Sequence, residues 1–366
     1  MRKLASIKTV SQLLPIEGKD RIELAIIDAW QVIVKKGEFT IGDSCVFCEI
    51  DSVLPDKEEF EFLRSKKFRI KTMKMGGVLS QGICFPMSFL PVGKYEVEQD
   101  VTEIMGVTKY EPNEENVVDT ESTGLKGRQF QHPIYKFLFR WKFFRTLLMP
   151  KKMNKGFPAF ISMTDETRVQ NIPFVFNNKD IEYVVREKID GCSMTVFLRR
   201  LKKKFPWQKE AFDFGVCSRT VRLWTSSDGS PHYWRAVEKY NLKEVLEDLI
   251  GDKEFVAIQG EIRDPKVQGN KYKVTETDFH AFNLIYPDGK VACLLAEPIL
   301  EEYGIPWCPL IEARYTLPET VNELLDYSTA QSVVGDTLRE GIVLRNYGKN
   351  TSFKAVSPDF LIKYNE

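Results

Sequence analysis

At 366 residues with 43% hydrophobic content, the chain is too long for one ordinary core and holds enough apolar material for two. Lysine plus arginine equals aspartate plus glutamate, 52 each, which excludes binding of nucleic acid or membrane by bulk charge and leaves only a local basic patch for that purpose. The seven cysteines are odd in number and scattered through apolar runs, which argues against a disulfide scaffold and for buried thiols in a reducing compartment.

Met1 to Ile7 carries charge at Arg2 and Lys3 with no sustained apolar run behind it, the pattern expected of a cytoplasmic or nuclear chain. Residues 1 to about 105 read as short strands with turn signals. Leu24 to Trp30 and Gln31 to Val34 are β-rich, Lys36-Gly37-Glu38 is a turn, and Ser44 to Val53 is a strand closed by Pro55. Phe68 to Met75 alternates basic and apolar residues, Gly76-Gly77 turns, and Val78 to Phe85 is the next strand. This spacing predicts an OB-type β-barrel over residues 1–108. Cys45 and Cys48 form a CxxC inside one strand with no second pair nearby, a poor zinc or redox site. Arg64, Lys66, Lys67, Arg69, Lys71 and Lys74 form a run without an acidic residue, with Lys67, Arg69 and Lys71 on one face of the predicted strand. Such a strip is either a grip on a nucleic-acid backbone or a solvated outer face.

Residues 109–155 read as a connector. From Glu111 to Gly127 the composition turns polar and acidic, as in a linker. Ile134 to Met149 then predicts a helix dense in aromatic residues and cations, too short and too charged to span a bilayer, and best placed between domains. Binding of this helix to a membrane surface is the minority reading, and Lys151, Lys152 and Lys155 extend its basic character.

Residues 156–366 carry the chemistry. Ile181 to Phe197 reads as strand, tight turn, strand, with Lys188-Ile189-Asp190-Gly191 at its centre. If the extended conformation runs through Asp190, Lys188 and Asp190 face the same pocket, and Gly191 allows a sharp turn or a close approach. A lysine attacks only as the neutral amine, so burial or neighbouring cations must manage its charge. Arg199, Arg200, Lys202, Lys203 and Lys204 mark an exposed hairpin tip before a returning strand, Phe212 to Ser218. Further strands run over Glu254 to Ile262, Phe279 to Ile285, Glu340 to Arg345 and Ser352 to Val356. The three histidines are scattered, and no Walker loop, GxSxG or GxGxxG occurs.

Lys188-Ile189-Asp190-Gly191, Ser218-Arg219-Thr220, Gly260-Glu261, Phe279-His280-Ala281-Phe282, Glu340-Gly341-Ile342-Val343 and Phe353-Lys354 follow one another in the order of the motifs of covalent nucleotidyltransferases. The set resembles most closely the ATP-dependent RNA ligases with an N-terminal OB domain. Trp30 to Glu38, Asp51-Ser52 and Ser80-Gln81-Gly82 extend the resemblance over nearly the whole chain. It implies an α+β protein, with an OB-type barrel followed by a nucleotidyltransferase domain of antiparallel sheets with flanking helices.

The resemblance also implies a three-step reaction: Lys188 takes AMP from ATP, AMP passes to an RNA 5′-phosphate, and an RNA 3′-hydroxyl displaces it. Lys188, Asp190, Glu261, Glu340 and Lys354 are then the catalytic residues, and Glu187, Arg168, Gly191, Arg219 and Phe282 bind the nucleotide. Phe282 matches the aromatic that stacks on adenine, Glu187 a reader of the adenine edge, and Lys354 a phosphate contact that helps keep Lys188 deprotonated. Asp190, Glu261 and Glu340 would hold Mg2+ or Mn2+, partly through water, because anionic leaving groups need their charge offset. Asp190 or Glu261 contacting a ribose hydroxyl or the RNA terminus stays open.

In one respect the chain departs from many relatives: Val356 stands where they have a second lysine, so either Lys363, Arg168 or metal supplies the charge or one chemical step is weaker. The expected substrate is RNA in the form of a nicked duplex, acted on by a monomer with no membrane association. The short run after Val356 is expected to leave no room for the C-terminal OB domain of DNA ligases and capping enzymes. A DNA or mixed-strand ligase on the same fold, and a non-catalytic RNA-binding protein on a degenerate ligase fold, are the alternatives.

Overall fold

The computed structural model describes residues 3–110, 156–203, 205, 207–224 and 231–365. The stretches read as acidic linker and aromatic-basic helix, with Lys151, Lys152 and Lys155, lie outside the described residues, as does Lys204.

The N-terminal part contains nine strands: β1 (Ala5–Ile16), β2 (Lys19–Ile27), β3 (Trp30–Lys35), β4 (Ser44–Cys48), β5 (Ser52–Val53), β6 (Met73–Met75), β7 (Val78–Ser80), β8 (Ile83–Pro86) and β9 (Thr108–Lys109). The main sheet runs β3-β2-β1-β4-β8, all antiparallel. β1 is the strand that curls it: Ala5 to Thr9 pair with β4, Val10 to Ile16 pair with β2, and a register shift separates Val10 from Gln12. One long strand serving both halves bends the sheet around a single core, as an OB-type barrel requires. Trp30 and Phe47 sit in that core with ring centroids 5.6 Å apart.

Three sequence readings change here. β2 and β3 turn at Asp28-Ala29, so Trp30 opens β3. The predicted strand from Ser44 to Val53 breaks after Cys48, and Asp51 adopts a positive φ of 66°. The basic run forms no strip, because Glu58–Lys66 is a 3-10 helix and Lys67 and Phe68 both have positive φ, which ends any strand alternation. Arg64 pairs with Asp56, whereas Arg69 is buried against Asp51 at 2.8 Å and lies over the Tyr110 ring at 3.6 Å. Lys71 donates to the Asn365 carbonyl and Lys74 pairs with Asp359 at 3.2 Å, so both turn toward the C-terminal part. None of the seven cysteines forms a disulfide, and six are buried.

The second part contains β10 (Thr167–Arg168), β11 (Glu182–Lys188), β12 (Cys192–Arg200), β13 (Phe212–Cys217), β14 (Arg222–Leu223), β15 (Phe255–Arg263), β16 (Asp278–Tyr286), β17 (Gly289–Lys290), β18 (Leu310–Thr316), β19 (Gly341–Asn346) and β20 (Thr351–Val356). They form two sheets, β10-β20-β19-β11-β18 and β14-β13-β12-β15-β16-β17. Among the strand pairings of the described residues, the short β10–β20 pairing alone is parallel, apart from an isolated parallel bridge between Ala281 and Trp307. β11 and β12 are adjacent in sequence yet belong to different sheets, so Ile189–Gly191 is a crossing between sheets and not a hairpin turn. Helices Pro231–Lys239, Leu242–Leu249 and Cys293–Glu301 cover the larger sheet, and Val321–Ser328 packs with the smaller. Leu242, Val245, Leu246 and Leu249 make the apolar stripe of one of these helices. Among the described residues, no helix is long and apolar enough to cross a membrane.

The two parts are joined by a polar network from Arg168 to Asn171. Trp30 Nε1 donates to Asn171 Oδ1 at 2.7 Å, Asn171 Nδ2 donates to Glu49 at 2.8 Å, and Gln170 donates to Gln81 at 3.2 Å. Val356 and Leu361 add apolar contact, because both belong to the core cluster of the N-terminal part. The position where relatives carry a second lysine is thus an interdomain packing residue. Asn171→Ala would strip a partner from the buried Trp30 indole and from buried Glu49, at a cost of about 2 kcal/mol. A lowered denaturant midpoint by both fluorescence and circular dichroism checks this; an unchanged midpoint refutes it.

Candidate active site

The two sheets and the barrel enclose a cavity of about 570 Å³. Backbone register builds its floor. Lys188 ends β11 opposite Gly341, which sets Glu340 beside it, and Lys188 Nζ lies 2.5 Å from Glu340 Oε2. A Cβ on Gly341 would come within 2.2 Å of the Ala355 carbonyl oxygen, so glycine is what lets the strand carrying Glu340 close on β20. From the other sheet, β15 brings Glu261 opposite Ser193. Gly191 passes so near β15 that a Cβ there would sit 2.2 Å from the Ile262 carbonyl oxygen. Its close approach is to backbone, and it also lines the cavity. Asp190 pairs with Lys271 at 2.8 Å, and its N–H donates to Tyr272 Oη at 3.2 Å.

All ten residues singled out from the sequence line this one cavity. Phe282, Val343 and Trp307 contribute apolar surface to it. Arg219 and Lys354 both approach Asp165, at 3.1 and 3.6 Å. Arg168 is buried and reaches Asp51 at 3.1 Å, so one carboxylate of the barrel holds two guanidinium groups, Arg69 and Arg168. Glu187 is buried with its carboxylate accepting from Ser332 Oγ at 2.5 Å and from Val333 N–H at 2.8 Å. These bonds commit both its oxygens to the 332–333 loop. Lys363 donates to Thr337 and does not line the cavity, which leaves Arg168 of the two side chains considered for the missing charge.

The electrostatics reverse one expectation. Desolvation works against the Lys188 ammonium, but the carboxylates of Glu340, Glu261 and Asp190 outweigh it and hold the lysine above its ordinary pKa. In the free protein Lys188 is therefore charged, and Lys354, drawn toward Asp165, does not keep it neutral. Glu261 moves the other way for a carboxylate: desolvation, helped by Glu340 and Asp190, pushes it up to about 8 despite Lys188 and Arg219.

Among the described residues, no three His, Cys, Asp or Glu side chains converge closely enough to hold a metal directly. The donor chemistry does fit a hydrated divalent cation. Three carboxylates act on one lysine, and burial, helped by Glu340 and Asp190, pushes Glu261 up to about 8, so added positive charge would favour its ionised form. The contributions of Asp165 and Lys271 escape a reading by motif, and those of Arg69 and Lys71 showed only as part of a basic run. Asp51-Ser52 did carry a signal, whereas Lys271 sits in a loop without one.

A cavity between two such sheets, with a lysine on a strand end, carboxylates around it and an OB-type barrel at its mouth, defines a ligase-type nucleotidyltransferase scaffold. A family model described as RNA ligase matches residues 181–364, and an OB-fold domain model matches residues 4–87. The chain belongs to the RNA ligase family. It is similar to the solved Naegleria gruberi RNA ligase with PPi at 30% identity and a TM-score of 0.78, covering 100% of this chain and 99% of that one. A mutant of that ligase with ATP and Mn (29% identity, TM-score 0.77) and another with AMP and Mn (30%, 0.77) each cover 99% of both chains. No curated protein sequence matches.

The Glu261 shift has a consequence for stability. Its folded pKa of about 8 exceeds the ordinary 4.5, so between those values the folded protein holds more protons than the unfolded chain. The stabilisation is fully present below 4.5 and is lost as pH rises through 8. Metal-free protein should melt at progressively lower temperature from about pH 6 to about pH 9, and Glu261→Gln should flatten that slope. An equal slope in both proteins, read by calorimetry across the range, counts against the assignment.

Proposed function

We propose that this RNA ligase uses ATP and a divalent metal to join an RNA 3′-hydroxyl to a 5′-phosphate through AMP held on Lys188, and that nicks in a duplex are its substrate. The observation that supports the covalent role is the 2.5 Å pair between Lys188 and Glu340 at the floor of a cavity lined by Asp190, Glu261, Arg219 and Lys354. ATP and Mn in the Naegleria structures favour the same co-substrate and metal here.

In the resting site Glu340 holds the Lys188 ammonium in place. Attack on the α-phosphorus needs that proton gone, and its loss is disfavoured while three carboxylates act on the amine. A divalent cation bound among Asp190, Glu261 and Glu340 would offset their charge, lowering the lysine pKa and countering negative charge on the phosphates. With its proton passed to the adjoining Glu340 carboxylate, Lys188 forms a P–N bond to AMP as the bond to pyrophosphate breaks. Arg168, Arg219 and Lys354 supply cationic contacts to the phosphates in exchange for Asp51 and Asp165. Phe282 offers the base an aromatic face, and Glu187 shapes that end of the site by anchoring the 332–333 loop.

AMP next passes to the RNA 5′-phosphate, and the 3′-hydroxyl displaces it to close the phosphodiester. The barrel stands at the cavity mouth through Asp51, Arg69, Lys71, Lys109 and Tyr110, within reach of the strand that supplies the 3′-hydroxyl. A DNA or mixed-strand ligase differs in how it treats the 2′-hydroxyl on that strand.

Intact mass after incubation with ATP and magnesium or manganese tests the first step. The natural protein should gain AMP and Lys188→Ala should not; no adduct on folded protein not already adenylated as purified would overturn the proposal. Nicked duplexes differing only in RNA or DNA at the 3′-hydroxyl side test substrate choice, with sealing at least tenfold faster expected for RNA, the loss of a buried hydrogen-bonded group being worth about 1.4 kcal/mol or more.

A further inference from the structure

The loop between β15 and β16 takes hold of Asp190 twice, with consecutive residues. Lys271 Nζ lies 2.8 Å from Asp190 Oδ2, and the Asp190 N–H donates to Tyr272 Oη at 3.2 Å. The Lys271 side chain is only 9% exposed and Tyr272 is buried, so both contacts are shielded from bulk water. Asn270 closes the loop by accepting from the Val274 N–H at 2.8 Å and donating to the Val274 carbonyl at 2.9 Å. On either side of it Gln268 and Lys273 adopt positive φ, 49° and 54°. Residues other than glycine keep that conformation where the surrounding structure enforces it.

A second element fixes the ammonium. The C-terminal helix Pro358–Lys363 leads out of β20 just past Val356, and the rings of Phe360 and Tyr364 lie 5.2 and 5.4 Å from Lys271 Nζ. Aromatic faces at that distance attract a cation and replace part of the hydration that burial removes. Stability alone gives no reason for the arrangement, because a buried ion pair gains little over well-packed apolar side chains of similar volume. Its consequence lies at Asp190. Lys271 does not line the cavity, whereas Asp190 does, and the Asp190 carboxylate is one of the three that act on Lys188. Lys271 thus brings to this floor a positive charge that Val356 does not.

We propose that Lys271 is a positioning residue for the adenylylation step: it holds the Asp190 carboxylate in place and offsets its charge, so that Glu261 and Glu340 carry most of the attraction for the divalent cation. The inference rests on the ligase reading. A neighbouring carboxylate strengthens a metal ligand, and a neighbouring ammonium does the reverse by competing for the same oxygen. Removing the ammonium should therefore tighten metal binding while loosening the geometry. General damage to the fold does not produce that combination.

Titration calorimetry of Mn2+ into ATP-free protein reads the first effect. Lys271→Met should bind Mn2+ about fivefold more tightly than the natural protein, the order expected for uncovering one carboxylate charge at a partly hydrated site. In an Asp190→Asn background the same change should alter Mn2+ affinity less than about twofold, because the oxygen it would release is gone. At saturating Mn2+ and ATP, formation of the AMP adduct should slow about tenfold in Lys271→Met. Lys271→Arg keeps the charge and the aromatic contacts, and should stay within about twofold of the natural protein in both measurements. Lys271→Gln carries the same expectation as Lys271→Met for Mn2+, and takes its place if the methionine variant does not fold.

Unchanged or weaker Mn2+ binding in the folded neutral variant overturns the proposal, as does equal tightening with and without Asp190, or no Mn2+ binding by any of these proteins. The ligase reading fails separately, by absence of the AMP adduct on the natural protein, whatever calorimetry gives.

Discussion

The contact on which the site depends is the pairing of Lys188 with Glu340 across neighbouring strands. Backbone register sets Lys188 against Gly341, and the 2.5 Å ion pair follows from that register. Glu261 and Asp190 act on the same lysine from the other side of the cavity, so three carboxylates bear on one ammonium group. The outcome is a lysine held charged and a glutamate held toward its neutral form. Such a floor is poised for a cation, and bringing one in changes the protonation of both groups.

Around that floor the architecture is a matter of where the chain crosses. Ile189–Gly191 carries it from one sheet to the other, so that the two sheets approach each other at Lys188. The barrel closes the remaining side by contacts that are mainly polar: Asp51 with Arg168, Gln81 with Gln170, and Asn171 between Trp30 and Glu49. Polar interfaces separate at lower cost than apolar ones. Val356 and Leu361 supply the apolar part of that contact.

Much of this was legible beforehand, and unevenly so. The strands of the second part read well because their apolar runs are long and their boundaries carry glycine or charge; β15, β16, β19 and β20 each lie within a residue of the reading. The first part read less well. Its strands break at Asp28-Ala29 and at Glu49–Asp51, where no glycine or proline marks the turn. The basic run misled for a related reason: alternation has meaning only on a strand, and a 3-10 helix followed by two positive-φ residues removed the strand. Arg69 consequently ended buried against Asp51, not on a solvated face.

By itself the sequence determined the kind of chemistry and its order along the chain: a lysine, three carboxylates, an aromatic and several cations in motifs that name a ligase-type scaffold. Those are properties of residue type and spacing, which local physics and resemblance both read. Only the tertiary structure decided that Lys188 begins charged, that Glu187 is spent on a loop, that Lys354 leans on Asp165, and that Arg168 is shared with the barrel. Each of these depends on distances between residues far apart in sequence, and electrostatic energy varies with those distances and with desolvation. Spacing along a chain carries neither.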